Sequence, residues 1–433
     1  MTTVSLLQLP NELIHMICTT LCSHCMGDWE IEYQPNSKGA LSRLARTSRR
    51  IHDIVMPVLY HTLFETMPQI FPDSPLLGKL FTFMRSISRN PKLICHVKQA
   101  AFTLYTRPSV YDIPIVDTLT ERLDSSFLHD WATIIFNERA ADLRADTALY
   151  HGLLLDVFFS SAINLDRLSL ECSSMRQFRK FIPSSSVLES LKTLHLVHRS
   201  TSGGFDLGAV AELLEISPNI EHLYADMCYS APAELNLTYL KHLRFSSCSF
   251  GSGDLRNVVL ACQNLRSFAF QYFQPASSIY ELYRNDFSPS PKRIVEELKV
   301  CESTLEYLEI ELAQGIPFTE FNSEHTITSL RNFSALKDVV VDEVSLHSDE
   351  RSLLDEVPDN GTEATIGKLG KTLMRILPTS IESVNLKSVG PCFTRYTGQV
   401  VNEACRSFFP NFKTLLVSTP GETSGAELCI AKD

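Results

Sequence analysis

The feature that most limits what this chain can fold into is a short pattern, apolar-x-x-apolar-x-apolar, that returns along most of its length. Clear copies are "NLDRLSL" (Leu165, Leu168, Leu170), "SLKTLHL" (Leu191, Leu194, Leu196), "NIEHLYA" (Ile220, Leu223, Ala225), "YLKHLRF" (Leu240, Leu243, Phe245), "NLRSFAF" (Leu265, Phe268, Phe270) and "TLEYLEI" (Leu305, Leu308, Ile310). Weaker copies are "ALKDVVV" (Leu336, Val339, Val341), "SIESVNL" (Ile381, Val384, Leu386) and "NFKTLLV" (Phe412, Leu415, Val417), and a poor early one is "HVKQAAF" (Val97, Ala100, Phe102). The clear and weaker copies start 20 to 45 residues apart, with helical patterns such as "SGDLRNVVLACQN" and "PKRIVEELKVCES" between them. A single strand and helix cannot bury its own apolar face, so neighbouring units must stack and share one core. The expected architecture is α/β: an irregular solenoid over 161–420, with parallel inner strands and outer helices.

Period-two alternation within each strand sends the pattern residues into that core and leaves the residues between and after them on the concave face. Aromatic and charged residues there are the natural anchors for a protein substrate: His195, Tyr224, Asp226, Arg244, Gln271, Tyr307 and Glu309. His195, His222 and His242 are expected at equivalent strand positions, stacked as a ladder. Gly, Pro, Ser and acidic residues mark insertions at 274–292 and 346–368 and a tail at 421–433, all expected to be mobile. Ser288 and Ser290 each precede a proline in the first insertion and are candidate phosphorylation sites.

The first 65 residues follow a different rule. From Leu9 to Leu21, Leu13, Ile14, Ile17 and Leu21 recur at helical spacing, Pro10 suits the first turn, and Glu12 complements the positive end of the helix dipole. Gly27, Pro35, Asn36 and Gly39 predict a loop over 22–39. A second helical stripe runs through Leu41, Leu44, Ala45, Ser48, His52 and Val55, and Pro57 ends or kinks it. Arg43, Arg46, Arg49 and Arg50 lie largely off that stripe, as a charged outer face or a phosphate-binding one. Linking helices and early repeats are expected over 66–160.

"LLQLPNELIHMIC" followed by "ALSRLARTSRRIHDIVMPVLYHTLF" resembles the F-box, through Leu9, Pro10, Glu12, Leu13, Ile14 and Ile17, then Leu41, Leu44, Thr47, Ser48 and Arg49. The "VMPVLYHTLF" end is similar to an extension common in fungal F-box proteins. The later repeats resemble a divergent leucine-rich-repeat array. Together the resemblances imply a short all-α F-box-like helical module (1–65) and a leucine-rich-repeat solenoid. They imply a substrate receptor that docks a Skp-type adaptor, and through it a cullin and RING ubiquitin ligase, with no active site of its own. The docking residues so implied are Leu9, Pro10, Leu13, Ile14, Ile17, Leu41 and Leu44. Three short helices have too little core to be very stable alone, which fits an apolar face awaiting a partner.

Other classes find less support. A formal charge of -11 argues against a nucleic-acid partner, because phosphate binding relies on a Lys/Arg excess. No window approaches the roughly 18 uninterrupted apolar residues of a membrane span. The twelve cysteines show no framework spacing and "MTTVSLLQLPNEL" has no secretory pattern, so reduced thiols and a cytoplasmic or nuclear location are expected. Cys18, Cys22 and Cys25 have the C-x3-C-x2-C spacing of radical S-adenosylmethionine enzymes, and His15 or His24 could complete a zinc set. Cys18, however, lies on the apolar side of a helix and no barrel pattern follows. The expectation is therefore no metal and no cofactor. A repeat scaffold outside any ligase, whose N-terminal helices only cap the array, and a metal-dependent enzyme are the rival readings.

Overall fold

The computed structural model describes residues 6–26, 35–65, 83, 86–87, 90–104, 155, 158–172, 187–198, 204–251, 253–272, 290–312, 325–346, 371–387 and 405–418. Most of 66–160, nearly all of the two predicted insertions, Ser288 and the tail lie outside these residues. The chain divides into two compact units, Met1–Arg199 with Glu212–Asn219, and Ser200–Ala211 with Ile220–Asp433. In both, the strands run parallel and pair in chain order, apart from one small separate pair in the second unit.

The first unit opens with helices α1 (Asn11–Thr20), α2 (Ser23–Met26), α3 (Pro35–Ala45) and α4 (Arg49–Leu59). Pro35, predicted to lie in a loop, is instead the first residue of α3, where its missing N–H costs nothing. The stripe from Leu41 to Val55 predicts one helix, yet there are two. Ser48 leaves helical geometry (φ -161°, ψ 159°), and its hydroxyl accepts the Ile51 amide at 3.2 Å, starting α4. Pro57 sits inside the last turn of α4, which ends two residues later. Ile14, Cys18, Cys22, Leu41, Ala45, Ile51, Val55 and Val58 form the core of these helices.

Strands β1 (Thr62–Glu65), β2 (Gln99–Leu104), β3 (Arg167–Cys172) and β4 (Thr193–His198) follow. Ala100, Leu168 and Leu194 align across β2–β4, as do Phe102, Leu170 and Leu196, and all six are buried. The poor copy at Val97 is thus a true repeat. β1 pairs with β2, Leu63 opposite Ala100, but Glu65 takes the place of the third apolar residue, so the pattern does not announce it. Phe102 and Phe158 pack edge-on, 5.1 Å between ring centres, and fill the space behind β2.

In the second unit, β5 (Phe205–Asp206) pairs with β7 (Cys228–Ser230) in a two-stranded sheet. The main sheet runs β6 (His222–Asp226), β8 (His242–Ser246), β9 (Ser267–Gln271), β10 (Tyr307–Glu311), β11 (Asp338–Asp342), β12 (Ser383–Lys387) and β13 (Thr414–Val417). Its helices include α5 (Asp254–Ala261) and α6 (Pro291–Glu297), the latter capped by the Ser290 hydroxyl, which accepts the Arg293 amide. The register matches the repeat frame: Leu223, Leu243, Phe268, Leu308, Val339, Val384 and Leu415 form one buried row across the sheet. Met227 and Ser247, directly after β6 and β8, have φ of 61° and 51°. Such left-handed backbone costs roughly 1–2 kcal/mol in a side-chain-bearing residue. It turns both chains out of the sheet at the same level, where their amides donate to the Ser246 and Gln271 carbonyls.

The polar residue that precedes many copies of the pattern has a mechanical role. Asn164 donates to the Cys95 carbonyl at 2.7 Å, Ser190 to Ile163 at 2.7 Å, Asn219 to Glu189 at 2.9 Å, and Asn264 to Thr238 at 3.3 Å. Thr304 and Ser380 do the same to Leu265 and Leu336. Each of these six bonds ties a lead-in residue to a carbonyl earlier in the chain, at about 0.5–1.5 kcal/mol per bond.

Candidate functional site

Helix α1 is apolar on two sides. Ile14 and Cys18, one turn apart, are fully buried in the helical core, whereas Leu13, Met16 and Ile17 are 44%, 60% and 38% exposed. Leu7, 52% exposed, and the exposed Pro10 extend that outward stripe at the start of the helix. Arg50 fixes it in place. Its guanidinium donates to the Leu7 carbonyl at 2.7 Å, the Leu9 carbonyl at 2.6 Å and the Asn11 side-chain oxygen at 2.9 Å, holding the turn before α1 against α4. Arg50 is thus a brace rather than a phosphate ligand.

The seven docking residues implied by resemblance separate into three groups. Pro10, Leu13 and Ile17 are exposed, and Leu9 and Leu44 are half-buried against the core. Ile14 and Leu41 belong inside. At 0% and 3% exposure they hold the helices together and present nothing to a partner. A 100° turn per residue points Ile14 and Cys18 inward together and leaves Leu13 and Ile17 outside.

Among the residues expected on the strand faces, four of seven join in one hydrogen-bonded network in the second unit. Arg244 on β8 donates to Oε1 of Gln271 at 2.6 Å, and Nε2 of Gln271 donates to Oε1 of Glu309 at 2.7 Å. The Tyr307 hydroxyl donates to the other Glu309 oxygen at 2.7 Å. Arg244 and Glu309 stand on one row of the sheet with the small Ala269 between them, so Gln271 has room to bridge the two charges diagonally. Arg244 is exposed, Tyr307 half-buried, and Gln271 and Glu309 are buried, not open on a surface as expected from alternation alone. Burial first, and then the Glu309 charge, hold the Tyr307 hydroxyl well above its ordinary pKa, so it stays a donor.

Tyr224 and Asp226 lie half-buried on β6, Tyr224 opposite Arg244. Burial raises the Asp226 carboxyl to about 6, against a smaller opposing hydrogen bond from the Met227 amide. His222 and His242 do stack, with ring centres 4.2 Å apart and planes 5° from parallel. His195 is not their equivalent. It is the third residue of β4, opposite Ser169, while His222 and His242 are the first residues of their strands; in β4 the first is Thr193.

A third constellation sits in the first unit, and sequence spacing reveals only half of it. Cys22 and Cys25, on either end of the first turn of α2, both approach Nδ1 of His61, at 3.8 and 3.4 Å. His24 lies between the two cysteines in sequence, its Nδ1 3.8 Å from the Cys25 sulfur and its Nε2 3.0 Å from Oδ2 of Asp166. Cys18 is not part of the group; it is buried in the helical core. Burial raises the Cys25 thiol to about 11, with Cys22 adding to the effect. Burial also lowers His61 to about 4, helped by Lys98 and the neighbouring histidines, so its ring is neutral near pH 7. The signal for His61 is its place next to a strand start, 36 residues after Cys25, and no ligand-spacing rule covers such a gap.

No helix among the described residues is long and apolar enough to cross a membrane. No model of a protein family matches the chain, and no curated protein does.

Proposed function

We propose that this chain is a non-catalytic substrate receptor of a ubiquitin ligase. In this reading, residues 1–65 are an F-box-like module that docks a Skp-type adaptor, and the repeats are a leucine-rich-repeat solenoid that holds a target protein. The observation that carries it is the outward stripe of α1, Leu7, Pro10, Leu13, Met16 and Ile17. A short helix bundle keeps five apolar residues in water while its own core is already closed by Ile14 and Leu41. Such a cost is expected of a surface that is covered by a partner. The opening Leu9–Pro10–x–Glu12–Leu13–Ile14, which resembles the F-box, runs from the turn before α1 into its first turns.

The mechanism is geometric. The adaptor, and the cullin and RING subunits behind it, bring a ubiquitin-charged enzyme, while the repeats hold the target so that its lysines fall within reach. On the target side, Arg244, Tyr224 and Tyr307 are the anchors, with the buried Glu309 holding the Tyr307 hydroxyl. Gln271 acts beneath them by locking Arg244 and Glu309 into one geometry, so less side-chain freedom is lost on binding.

The test is co-expression with a Skp-type adaptor followed by size-exclusion chromatography. Wild type is expected to elute as a 1:1 complex. The double variant Leu13→Asp, Ile17→Asp places charges on exposed positions and leaves the core intact, and it should bind at least about tenfold more weakly, or about 1.4 kcal/mol. Well-folded wild type that never forms the complex refutes the reading.

A further inference from the structure

We propose that Cys22, Cys25, His61 and His24 bind one zinc ion, which fastens the N-terminal helices to the sheet of the first unit. The proposal does not rest on the ligase reading. Its first support is distance. One ligand atom from each of Cys22, Cys25 and His61 lies within 4.8 Å of the other two. In a tetrahedral site with Zn–S near 2.3 Å and Zn–N near 2.0–2.1 Å, ligand atoms stand roughly 3.3–3.8 Å apart. The separations of 3.8 Å for Cys22–His61 and 3.4 Å for Cys25–His61 are edges of such a tetrahedron. Nδ1 of His24 stands 3.8 Å from the Cys25 sulfur but outside this group of three, so its ring must shift to become the fourth ligand.

Hydrogen bonds can serve these thiols one at a time, Cys22 to Nδ1 of His61 and Cys25 to Nδ1 of His24, but they leave the convergence on His61 unused. A neutral imidazole with its proton on Nε2 offers a single lone pair at Nδ1. One thiol could use it, but two sulfurs point at it. A soft cation at the centre would use both sulfurs and the nitrogen at once. Two thiolates and two imidazoles are a donor set that suits zinc, with no redox step needed.

The second support is the outer partner of His24. Nε2 of that ring meets Oδ2 of Asp166 at 3.0 Å, with the His24 side chain only 11% exposed. This bond places the ring proton on Nε2 and leaves Nδ1, the atom facing Cys25, free to ligate, as carboxylates do behind zinc-bound histidines. The supporting backbone is anchored as well. The His61 carbonyl accepts the Lys98 and Gln99 amides, both at 2.9 Å, and the Asp166 carbonyl accepts those of Lys192 and Thr193. A metal here would join α2 and the end of α1 to the residue just before β1, with Asp166, just before β3, behind it. On binding, the two cysteine thiols each release one proton and the ion takes their place, while both imidazoles enter neutral.

The experiment uses the full chain, expressed with zinc and purified under reductant without chelator. Metal content is measured by plasma mass spectrometry, and the zinc-free protein is titrated with Co2+ while its visible spectrum is recorded. About one zinc per chain and the blue-green absorption of tetrahedral cobalt bearing thiolates are expected. Cys25→Ser and His24→Gln, changes at the less buried ligands, should lose or sharply weaken both signals. Cys95→Ser, an exposed cysteine outside the cluster, should keep them. Asp166→Asn should weaken zinc binding about 10–100-fold. Cys22 is in the helical core, so its variant could fail to fold, and the decision rests on Cys25 and His24. A folded, reduced wild-type chain that takes up neither zinc nor cobalt overturns the proposal. So does metal binding that survives in both Cys25→Ser and His24→Gln.

Discussion

Truncating adjacent residues of α1 should have opposite consequences, because Ile14 is fully buried and Leu13 is 44% exposed. Ile14→Ala removes three buried carbons, worth about 2.4 kcal/mol in transfer at roughly 0.8 kcal/mol each. The cavity left among Cys18, Leu41 and Val55 raises this to about 3–4 kcal/mol. Leu13→Ala gives up only part of its surface, opens no enclosed cavity and gains in helix propensity, so it should cost under about 1 kcal/mol. Native-state hydrogen exchange reads this locally, through the opening free energy of the α1 amides. Ile14→Ala should speed their exchange by about 100-fold or more, at about 1.4 kcal/mol per tenfold, and Leu13→Ala by less than about tenfold. Equal costs at the two positions would mean that Leu13 is packed within the chain, and the argument for an outward apolar stripe would fail.

Three further outcomes follow from the second unit. The carboxyl of Asp226 is raised to about 6 from an ordinary 3.8, so its contribution to stability is fully present below pH about 4 and is lost as pH rises through about 6. Asp226→Asn should flatten that part of a urea-unfolding pH series and stabilise the protein at pH 8. Asn264→Ala removes one inter-repeat pin and should cost about 0.5–1.5 kcal/mol in urea unfolding, while Asn264→Ser should recover part of it. Tyr307→Phe deletes the donor to Glu309 and should cost about 1.5–3 kcal/mol; a double-mutant cycle with Glu309→Gln should show coupling, and strict additivity would contradict the network.

The repeat frame is readable in the sequence because each copy couples two independent constraints. The apolar residues must face one core, and the polar lead-in residue, such as Asn164 or Asn219, must reach the preceding carbonyl. Where one constraint lapses the signal weakens: β1 is silent because Glu65 ends it where an apolar residue would be expected. Alternation assigns the inward and outward faces correctly for Leu223 or Leu243. It cannot show that Gln271 and Glu309 are buried, since that depends on what else packs nearby. The break at Ser48 is within reach, as serine three residues before Ile51 is a capping signal, but an uninterrupted stripe outweighs it. His195 is placed correctly only by counting strand positions, not histidines. The cluster around His61 is legible only in part. Cys22, His24 and Cys25 are neighbours in sequence, whereas His61 and Asp166 are brought to them by the fold.

The most direct test of the central claim is a hydrogen-exchange difference map of the full chain with and without a purified Skp-type adaptor. The account predicts protection concentrated in Asn11–Thr20 and the turn before it, with the strands of the second unit unchanged. An adaptor that leaves the α1 amides exchanging as they do in the free chain would contradict it.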